Sequence, residues 1–173
     1  ALIKNGKCIE LKKAVTLDNQ DIVLRIFEEG VDYDWIIYHT RVASAGSIKN
    51  ENCHPYGNKN FVLAMNGTVS SFSDLAEDYD TTDTEMIYRF VKSANLDVKI
   101  LRHLPAKFIG LQNGKVYATN PDSYYGGLEF IQDENGTCIA SSFPSKYKSK
   151  SMKTDYCWKE GEQIEEHKIK YKT

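Results

Sequence analysis

The residues with the clearest chemical potential lie between positions 39 and 85. They fall in four short polar segments: His39–Gly46, Asn52–Tyr56, Met65–Thr68 and Thr82–Glu85. An arginine that leaves a buried strand, as Arg41 does, can bind a ligand carboxylate through two hydrogen bonds. An amide side chain followed by glycine, as in Asn66-Gly67, can direct two N–H groups at one negative oxygen. Asp83 can receive an ammonium group, so the set suits the two charged ends of an amino acid.

Each of these residues also has an ordinary structural explanation. Arg41 could form an internal ion pair, and the Asp83 carboxylate could simply favour the dipole of a helix that begins there. Asn66-Gly67 could be a turn, since Asn-Gly occurs three more times, at 5–6, 113–114 and 135–136. His54 precedes Pro55 in a loop, where it could support the site without contacting a ligand. The order and spacing of the segments therefore carry the functional interpretation.

The elements that must position these residues are predicted from hydrophobic periodicity. Short apolar runs predict buried strands at Trp35–Tyr38 and Phe61–Met65, the second directly before Asn66. Helices are predicted from Asp18 to Gly30 and from Thr82 onwards, where Thr82 and Glu85 form a capping box. Further strands are predicted at Leu2–Lys4 and in three hairpins: Lys107–Leu111 with Lys115–Ala118, Leu128–Gln132 with Thr137–Ser141, and Tyr156–Trp158 with Glu166–Tyr171. This mixture predicts an α+β fold in which helices cover packed sheets.

Length and composition exclude several classes of protein. The chain has 173 residues, 41% of them hydrophobic and 27% charged, which predicts one globular domain over residues 1–173. A formal net charge of −2 gives no global attraction to nucleic acid, and the basic stretch Lys146–Lys153 is typical of a solvated loop. No apolar run approaches the ~18–20 residues that span a bilayer, and the first residues lack the apolar region of a signal peptide. We therefore expect a cytoplasmic protein that contacts neither nucleic acid nor membrane.

The cysteines do not indicate a disulfide framework or a metal site. They stand at positions 8, 53, 138 and 157, widely spaced in a chain without secretory features, so we expect reduced thiols. The pair Cys53-His54 lacks a second pair of ligands at zinc-finger spacing. No metal is therefore expected.

In this order and spacing, the four segments resemble the glutaminase domain of the class II glutamine amidotransferases. That family carries His-Thr-Arg-x-Ala-Thr-x-Gly, Asn-x-His-Pro-Phe, His-Asn-Gly and Asp-Thr-Glu. The matching residues here are His39–Gly46, Asn52–Tyr56, Met65–Gly67 and Asp83–Glu85. Fainter similarity extends to Leu2-Ile3 and to the hairpin at 107–117.

The resemblance implies a fold, a reaction and a set of roles. The implied fold is a four-layer αββα sandwich of the N-terminal-nucleophile (Ntn) hydrolase type, with mostly antiparallel sheets. The implied reaction is hydrolysis of the glutamine side-chain amide to glutamate and ammonia, without a cofactor. By the same resemblance, the substrate would be bound at its α-carboxylate by Arg41, at its α-ammonium by Asp83 and at its oxyanion by Asn66 and Gly67. The remaining residues implied to border the substrate are Ser44, Met65 and His54.

Residue 1 is the main departure from the family, because the nucleophilic cysteine is replaced by Ala1. In the family this cysteine attacks the amide and its own α-amine relays the proton, whereas a methyl group cannot attack. The opening Cys-Leu-Ile of the family reads Ala1-Leu2-Ile3 here, so we expect Ala1 to be an inactivating substitution at the nucleophile position. A naturally inactive relative is the alternative. Cys53 is the second choice for a nucleophile, although it lacks a free α-amine.

Three further departures flank the implied binding groups. Met65 replaces the histidine of His-Asn-Gly, Ala45 replaces a histidine found in many members, and Tyr56 replaces phenylalanine. They leave the identity of the amide more open than the type of reaction.

The sequence therefore predicts an Ntn amidohydrolase of the glutamine amidotransferase type, inactive while residue 1 is alanine. A separate synthase or acceptor-binding subunit would receive the ammonia; without one, the product would be the hydrolysed amide. Two alternatives stay open: an enzyme of the same fold that acts on a different amide, and an inactive glutamine or amide sensor or scaffold, which Ala1 favours.

Overall fold

The computed structural model describes residues 1–15, 33–43, 46–119, 128–133, 136–140, 146, 148–151, 155–159 and 162–167. Within these ranges the chain forms twelve strands and two α-helices. The strands are β1 (Leu2–Lys4), β2 (Lys7–Glu10), β3 (Trp35–Ile36), β4 (Tyr56–Gly57), β5 (Phe61–Gly67), β6 (Ala106–Gln112), β7 (Lys115–Thr119), β8 (Glu129–Asp133), β9 (Gly136–Ala140), β10 (Lys150–Ser151), β11 (Asp155–Lys159) and β12 (Glu162–His167). The helices are α1 (Ser70–Asp78) and α2 (Asp83–Ser93), and short 3₁₀ turns cover Asn50–Asn52 and Val98–His103.

The strands pair into three antiparallel sheets. The largest has the order β12-β11-β7-β6-β5-β4, and the other two have the orders β2-β1-β3 and β10-β8-β9. In the large sheet β5 pairs with β6 along its whole length, from Phe61 opposite Gln112 to Gly67 opposite Ala106. Neighbouring strands in sequence are mostly neighbours in space, as expected of hairpin connections.

Two apolar cores cover the two faces of β5, because successive side chains of a strand point to opposite faces. The helix-side core contains Phe61, Leu63 and Met65 of β5 and Val69, Ile87, Val91, Val98, Leu101 and Phe108. The sheet-side core contains Val62 and Ala64 of β5 and Ile3, Cys8, Ile37, Leu111, Val116, Ala118 and Leu128, with Ala1 packed against it. The described residues thus stack helices, a six-stranded sheet and a second layer of strands.

An α+β mixture with antiparallel sheets is confirmed, whereas the four-layer αββα arrangement and the single domain over 1–173 stay predictions. The predicted helix Asp18–Gly30 lies outside the described residues. The strand at Leu2–Lys4 and the hairpins β6–β7 and β8–β9 are confirmed to within about two residues. The last hairpin is also present as β11–β12, although its second strand begins at Glu162 rather than Glu166.

The strand predicted at Trp35–Tyr38 is shorter and less buried than its apolar sequence suggests. It covers Trp35–Ile36, and Ile36 and Tyr38 are 44% and 66% exposed. The reason is its position, since β3 is an edge strand of the small sheet and packs against the sheet-side core through Trp35, with Ile37 directly after the strand. Trp35 and Ile36 were correctly predicted as a strand, whereas Ile37 and Tyr38 lie outside it, and the prediction that both faces are buried was wrong.

Helix α1 had no sequence signal, whereas α2 was predicted. The sequence of α1 is rich in serine and aspartate, and Val69 at its N-cap position makes no side-chain cap hydrogen bond. Helix α2 begins as predicted, with the Thr82 hydroxyl accepting a hydrogen bond from the Glu85 N–H at 3.1 Å. The Glu85 carboxylate accepts from Thr81 and Arg89, so those contacts take the place of the second half of the capping box. None of the helices in the described part of the chain is long and apolar enough to cross a bilayer.

Candidate active site

A cleft of about 160 Å³ opens where the end of β5, the start of α2 and the segment after β3 meet. It is lined by His39, Thr40, Arg41, Val42, His54, Met65, Asn66, Gly67, Thr82 and Asp83. Six residues that the sequence analysis singled out are thus brought together: Arg41, His54, Met65, Asn66, Gly67 and Asp83. Ala1 does not belong to the described lining, and Ser44 and Ala45 lie outside the described residues.

Asn66 and Gly67 are the last two residues of β5, so the strand runs two residues further than predicted. Met65 is buried in the helix-side core, whereas Asn66 is exposed. By strand alternation the Asn66 side chain lies on the face of Ala64, which is the face of the sheet-side core. Gly67 has a φ of 129°, a conformation that side-chain-bearing residues rarely adopt. The sheet therefore fixes the backbone of both residues at the edge of the cleft.

Asp83 is held in place by the backbone around it. One carboxylate oxygen accepts the N–H of Val69 at 2.9 Å, and the other accepts the N–H of Thr84 at 2.8 Å. The side chain is buried at the first position of α2, where the helix dipole favours a negative charge. Each oxygen retains a lone pair for a further donor. Asp83 thus offers a fixed negative charge to the cleft.

Arg41 sits in a segment that polar contacts tie to the residues before α2. Its guanidinium reaches the carbonyl of Gly46 at 3.4 Å, a long hydrogen bond. Next along the chain, the buried amide of Asn52 donates to the carbonyls of Ser47 (2.9 Å) and Asp80 (3.3 Å). Asp80 in turn accepts from the backbone and side chain of Ser47 and pairs with Lys49 at 2.7 Å. Hydrogen bonds thus join this loop, through Ser47 and Asn52, to Asp80, which lies three residues before Asp83.

Two stacked histidines form one side of the cleft. The rings of His39 and His54 lie 4.3 Å apart at an angle of 29°, and His39 Nε2 lies 3.0 Å from the carbonyl of Met65. Burial is the main cause that lowers the pKa of His54 to about 3, and the proximity of His39, Arg41 and Lys13 acts in the same direction. Burial also lowers the pKa of His39. Both rings are therefore neutral at physiological pH.

His54 was predicted as a supporting site residue, but His39 was not selected as a site residue, although it opens the first polar segment. Its spacing from Met65 in the sequence gives no hint of their contact. Thr40, Val42 and Thr82 also line the cleft; they lie in the polar segments of the sequence but were not selected as site residues.

Residue 1 is joined to the segment that leads into the cleft. The Ala1 amine donates to the carbonyl of Ile37 at 2.7 Å, and the Ile37 N–H donates to the carbonyl of Ala1 at 2.9 Å. Burial lowers the pKa of this amine, while the proximity of Cys8 and Glu10 opposes the shift. A lowered pKa leaves more of the amine unprotonated near neutral pH, as a general base requires.

Several polar residues around the cleft were not predicted. Lys107 is buried directly opposite Asn66 on β6. The ammonium of Lys13 lies 3.4 Å from the centre of the Tyr56 ring. Burial is the main cause that lowers the pKa of Lys13 to about 8. The hydroxyl that distinguishes Tyr56 from phenylalanine accepts a hydrogen bond from Thr82 at 2.9 Å. Its hydroxyl thus contacts a residue that lines the cleft.

Cys53 was the second choice for a nucleophile. Its Sγ lies within hydrogen-bond distance of the backbone carbonyls of Ala14 (3.3 Å) and Lys49 (3.6 Å), either of which can accept its one S–H. It is not one of the described residues that line the cleft. In the portion of the chain that the structure describes, no group of three or more His, Cys, Asp and Glu side chains is placed to hold a metal ion.

Comparisons with known proteins give two kinds of result. No protein-family model matches the chain. A putative isomerizing glutamine–fructose-6-phosphate aminotransferase of Saccharomyces cerevisiae (strain S288c) is 33% identical over 124 residues, covering 60% of this chain and 45% of that protein. The isomerizing glutamine–fructose-6-phosphate aminotransferase of Listeria innocua is 29% identical over 99 residues, covering 45% of this chain and 16% of that protein. The chain thus spans less than half the length of these relatives, and it is similar to part of proteins named for glutamine-dependent amino transfer.

Proposed function

We propose that this chain is a glutaminase domain of the glutamine amidotransferase type, which cleaves the side-chain amide of glutamine or a close analogue when residue 1 is cysteine. The observation that carries the proposal is the convergence of Arg41, Asn66, Gly67 and Asp83 on one cleft. These residues come from three separate parts of the fold, and each supplies a different charge or donor. The similarity to glutamine–fructose-6-phosphate aminotransferases supports the same type of function.

In this proposal the amino-acid end of the substrate is held by opposite charges. Arg41 pairs with the α-carboxylate, as guanidinium groups do well, and the fixed carboxylate of Asp83 receives the α-ammonium. The family resemblance assigns Ser44 to the substrate carboxylate, and Met65 and His54, which line the cleft, would border the substrate. Binding both ends directs the side-chain amide toward Asn66 and Gly67, and such positioning contributes several kcal/mol to catalysis.

The chemical step uses protein groups only. The thiol at position 1 adds to the amide carbon while its proton passes to the α-amine, and the oxyanion is stabilised by the Asn66 side chain and the Gly67 N–H. The amine then protonates the leaving nitrogen, so ammonia departs and a thioester remains. Water hydrolyses the thioester to glutamate and restores the thiol. No cofactor takes part.

The residue that the natural protein has at position 1 decides between two forms of the proposal. If Ala1 replaces a natural cysteine, the natural protein is the enzyme and this variant binds substrate without turning it over. If alanine is natural, the same cleft serves a sensor or scaffold that binds glutamine or a related amide. Met65 and Ala45 also favour testing a different amide, because these two departures from the family flank the implied binding groups.

The fate of the ammonia is the second open part of the proposal. A separate synthase or acceptor-binding subunit receives it in the amidotransferase form, and plain hydrolysis releases it in the amidohydrolase form. The relatives are named for an acceptor, fructose 6-phosphate, but this chain spans less than half of their length.

The test is glutamate release from glutamine by the Ala1→Cys protein with a free N-terminus. We expect release by this variant, none by the Ala1 protein, and none when one glycine is added before the cysteine, because the amine is then lost as a base. Cleavage of a peptidyl or N-acylated amide but not of glutamine would favour the different-amide alternative. Binding of glutamine without cleavage in any variant would favour the sensor.

A further inference from the structure

We propose that His39 is a positioning residue that sets the spacing between residue 1 and the oxyanion donors, with the stacked ring of His54 holding it in place. This inference rests on the proposed function, because it concerns the geometry of the same site. It assigns a task to a residue that the proposed chemical step does not use.

The two halves of the proposed site belong to different sheets. Residue 1 precedes β1 of the three-stranded sheet, whereas Asn66 and Gly67 end β5 of the six-stranded sheet. The segment 37–39 contacts both. Ile37 exchanges two backbone hydrogen bonds with Ala1, and His39, roughly 7 Å further along an extended chain, contacts the carbonyl of Met65. Three hydrogen bonds across one short segment thus link the nucleophile position to the residue before Asn66.

The contact between His39 and Met65 has one possible direction. A carbonyl oxygen can only accept, so His39 Nε2 carries the hydrogen and donates it over 3.0 Å. Burial is the main cause that lowers the pKa of His39; the hydrogen bond to Met65 opposes this shift and the charge of Arg41 adds to it, so the ring is neutral at physiological pH. Its Nδ1 then bears a lone pair, and this atom is buried without a hydrogen-bond partner among the described residues. The hydrogen bond from Nε2–H to the Met65 carbonyl therefore holds the His39 ring in its orientation.

His54 holds the His39 ring from its other side. The two rings stack at 4.3 Å, and His54 also packs at an angle on Tyr56, with ring centroids 5.4 Å apart. Tyr56 accepts the hydrogen bond from Thr82, the residue directly before Asp83. A row of three rings therefore runs from the Met65 carbonyl to the start of α2. This row leaves the His39 ring little room to turn away from Met65.

A change of His39 is expected to affect the chemical step more than substrate binding. An error of about 1 Å between an attacking atom and its target can reduce a rate by about 100-fold. His39→Phe keeps a ring for the stack but removes the N–H. In the Ala1→Cys background we expect it to lower kcat for glutamine about 100-fold and to change KM less than about threefold, since Arg41 and Asp83 are untouched.

His39→Gln provides the conservative variant. Its amide N–H can lie close to the place of His39 Nε2, so we expect kcat within about fivefold of the parent, as one restored hydrogen bond allows. The matched control is His103→Gln, which removes an exposed histidine from the 3₁₀ turn Val98–His103. If His103→Gln has the same kcat and KM as the parent, a general effect of losing a histidine is excluded.

Two measurements by nuclear magnetic resonance decide the inference independently of turnover. The ¹⁵N shifts of His39 report its tautomer, and hydrogen exchange reports the order of the Asn66 and Gly67 amides. We expect the Nε2–H tautomer in the parent, and amide exchange about tenfold faster in His39→Phe but not in His39→Gln. The inference is overturned by an Nδ1–H tautomer, by equal exchange in all variants, or by parent kcat in His39→Phe. If the Ala1→Cys protein cleaves no amide, the proposed function fails, and tautomer and exchange alone then decide the role of His39.

Discussion

The two walls of the cleft are held by different kinds of interaction. The framework wall, formed by Met65, Asn66, Gly67 and Asp83, belongs to β5 and the start of α2, and both elements are anchored in the helix-side core. The loop wall is formed by Thr40, Arg41 and Val42. The hydrogen bond from Arg41 to Gly46 joins this wall to the residues that follow, and hydrogen bonds of Asn52 and Asp80 with Ser47 hold those residues in place. Apolar burial fixes the first wall, whereas a few polar contacts fix the second.

This difference assigns the two walls different tasks. Groups that must meet a developing charge at a set distance are best carried by rigid elements, and Asn66 and Gly67 are carried by such a strand. A group that binds and releases a substrate needs an element that can move, and such elements have few buried contacts. Val42 in the loop wall is 92% exposed, which fits that description. Substitutions of Asn66 or Gly67 in the framework wall should therefore reduce turnover, and substitutions that free the loop wall should raise KM.

The strongest expected effect in the framework wall is that of Gly67→Ala. The added methyl group would lie 3.0 Å from Cβ of Ala106, and φ is 129°, so the backbone must move. Loss of one oxyanion donor lowers kcat by about 100- to 1,000-fold, and we expect a loss of this size in the Ala1→Cys protein. Gly114→Ala is the matched control, because it also has a positive φ (74°) but lies in the β6–β7 turn. Equal losses of kcat in both variants would refute the assignment of Gly67.

Asn52→Leu tests the loop wall. It leaves the carbonyls of Ser47 and Asp80 without their donor, while it also removes an Oδ1 atom that has no partner among the described residues. We expect the free energy of unfolding to fall by about 2 kcal/mol and KM for glutamine to rise, with kcat changed less. Urea unfolding and kinetics measure the two effects. Asn60→Leu, in an exposed turn, serves as control, and a change in kcat alone would contradict the division between the walls.

A smaller effect on the free energy of unfolding is expected from the titration of His54. His54 is neutral in the folded protein down to a pKa of about 3, whereas an unfolded histidine titrates near 6.5. Below that value the unfolded state binds the extra proton, so stability falls as pH decreases. Between pH 7.5 and 5.5 we expect His54 to lower the free energy of unfolding by about 1.4 kcal/mol. His54→Phe should remove this part of the pH dependence of the free energy of unfolding. An unchanged pH dependence in this variant would contradict the burial of the His54 ring.

The framework wall was easier to predict from the sequence than the loop wall. Phe61–Met65 and the Thr82 cap gave strong local signals, because a buried strand and a capped helix need particular residue types. Those signals placed Asn66 and Asp83 correctly at the ends of their elements. They did not predict that β5 continues through Gly67, since the pairing of Gly67 with Ala106 is set by β6.

Contacts between distant segments could not be predicted. The stacking of His39 on His54, the burial of Lys107 beside Asn66 and the bond from Asn52 to Asp80 join residues far apart in the chain. Each depends on how sheets and loops pack, and hydrophobic periodicity carries no such information. Helix α1 was missed for a related reason, because it packs against α2 rather than following a strong local pattern.

Calorimetric titration of glutamine into the Ala1 protein tests most directly whether the cleft binds the two ends of an amino acid. We expect saturable binding at one site, weakened more than about tenfold by Arg41→Met and by Asp83→Asn, since each removes a charge-assisted contact. Arg89→Met should bind like the parent, because Arg89 is exposed on α2 and pairs with Glu85. Absence of binding, or equal binding by all four proteins, would contradict the assignment of this cleft.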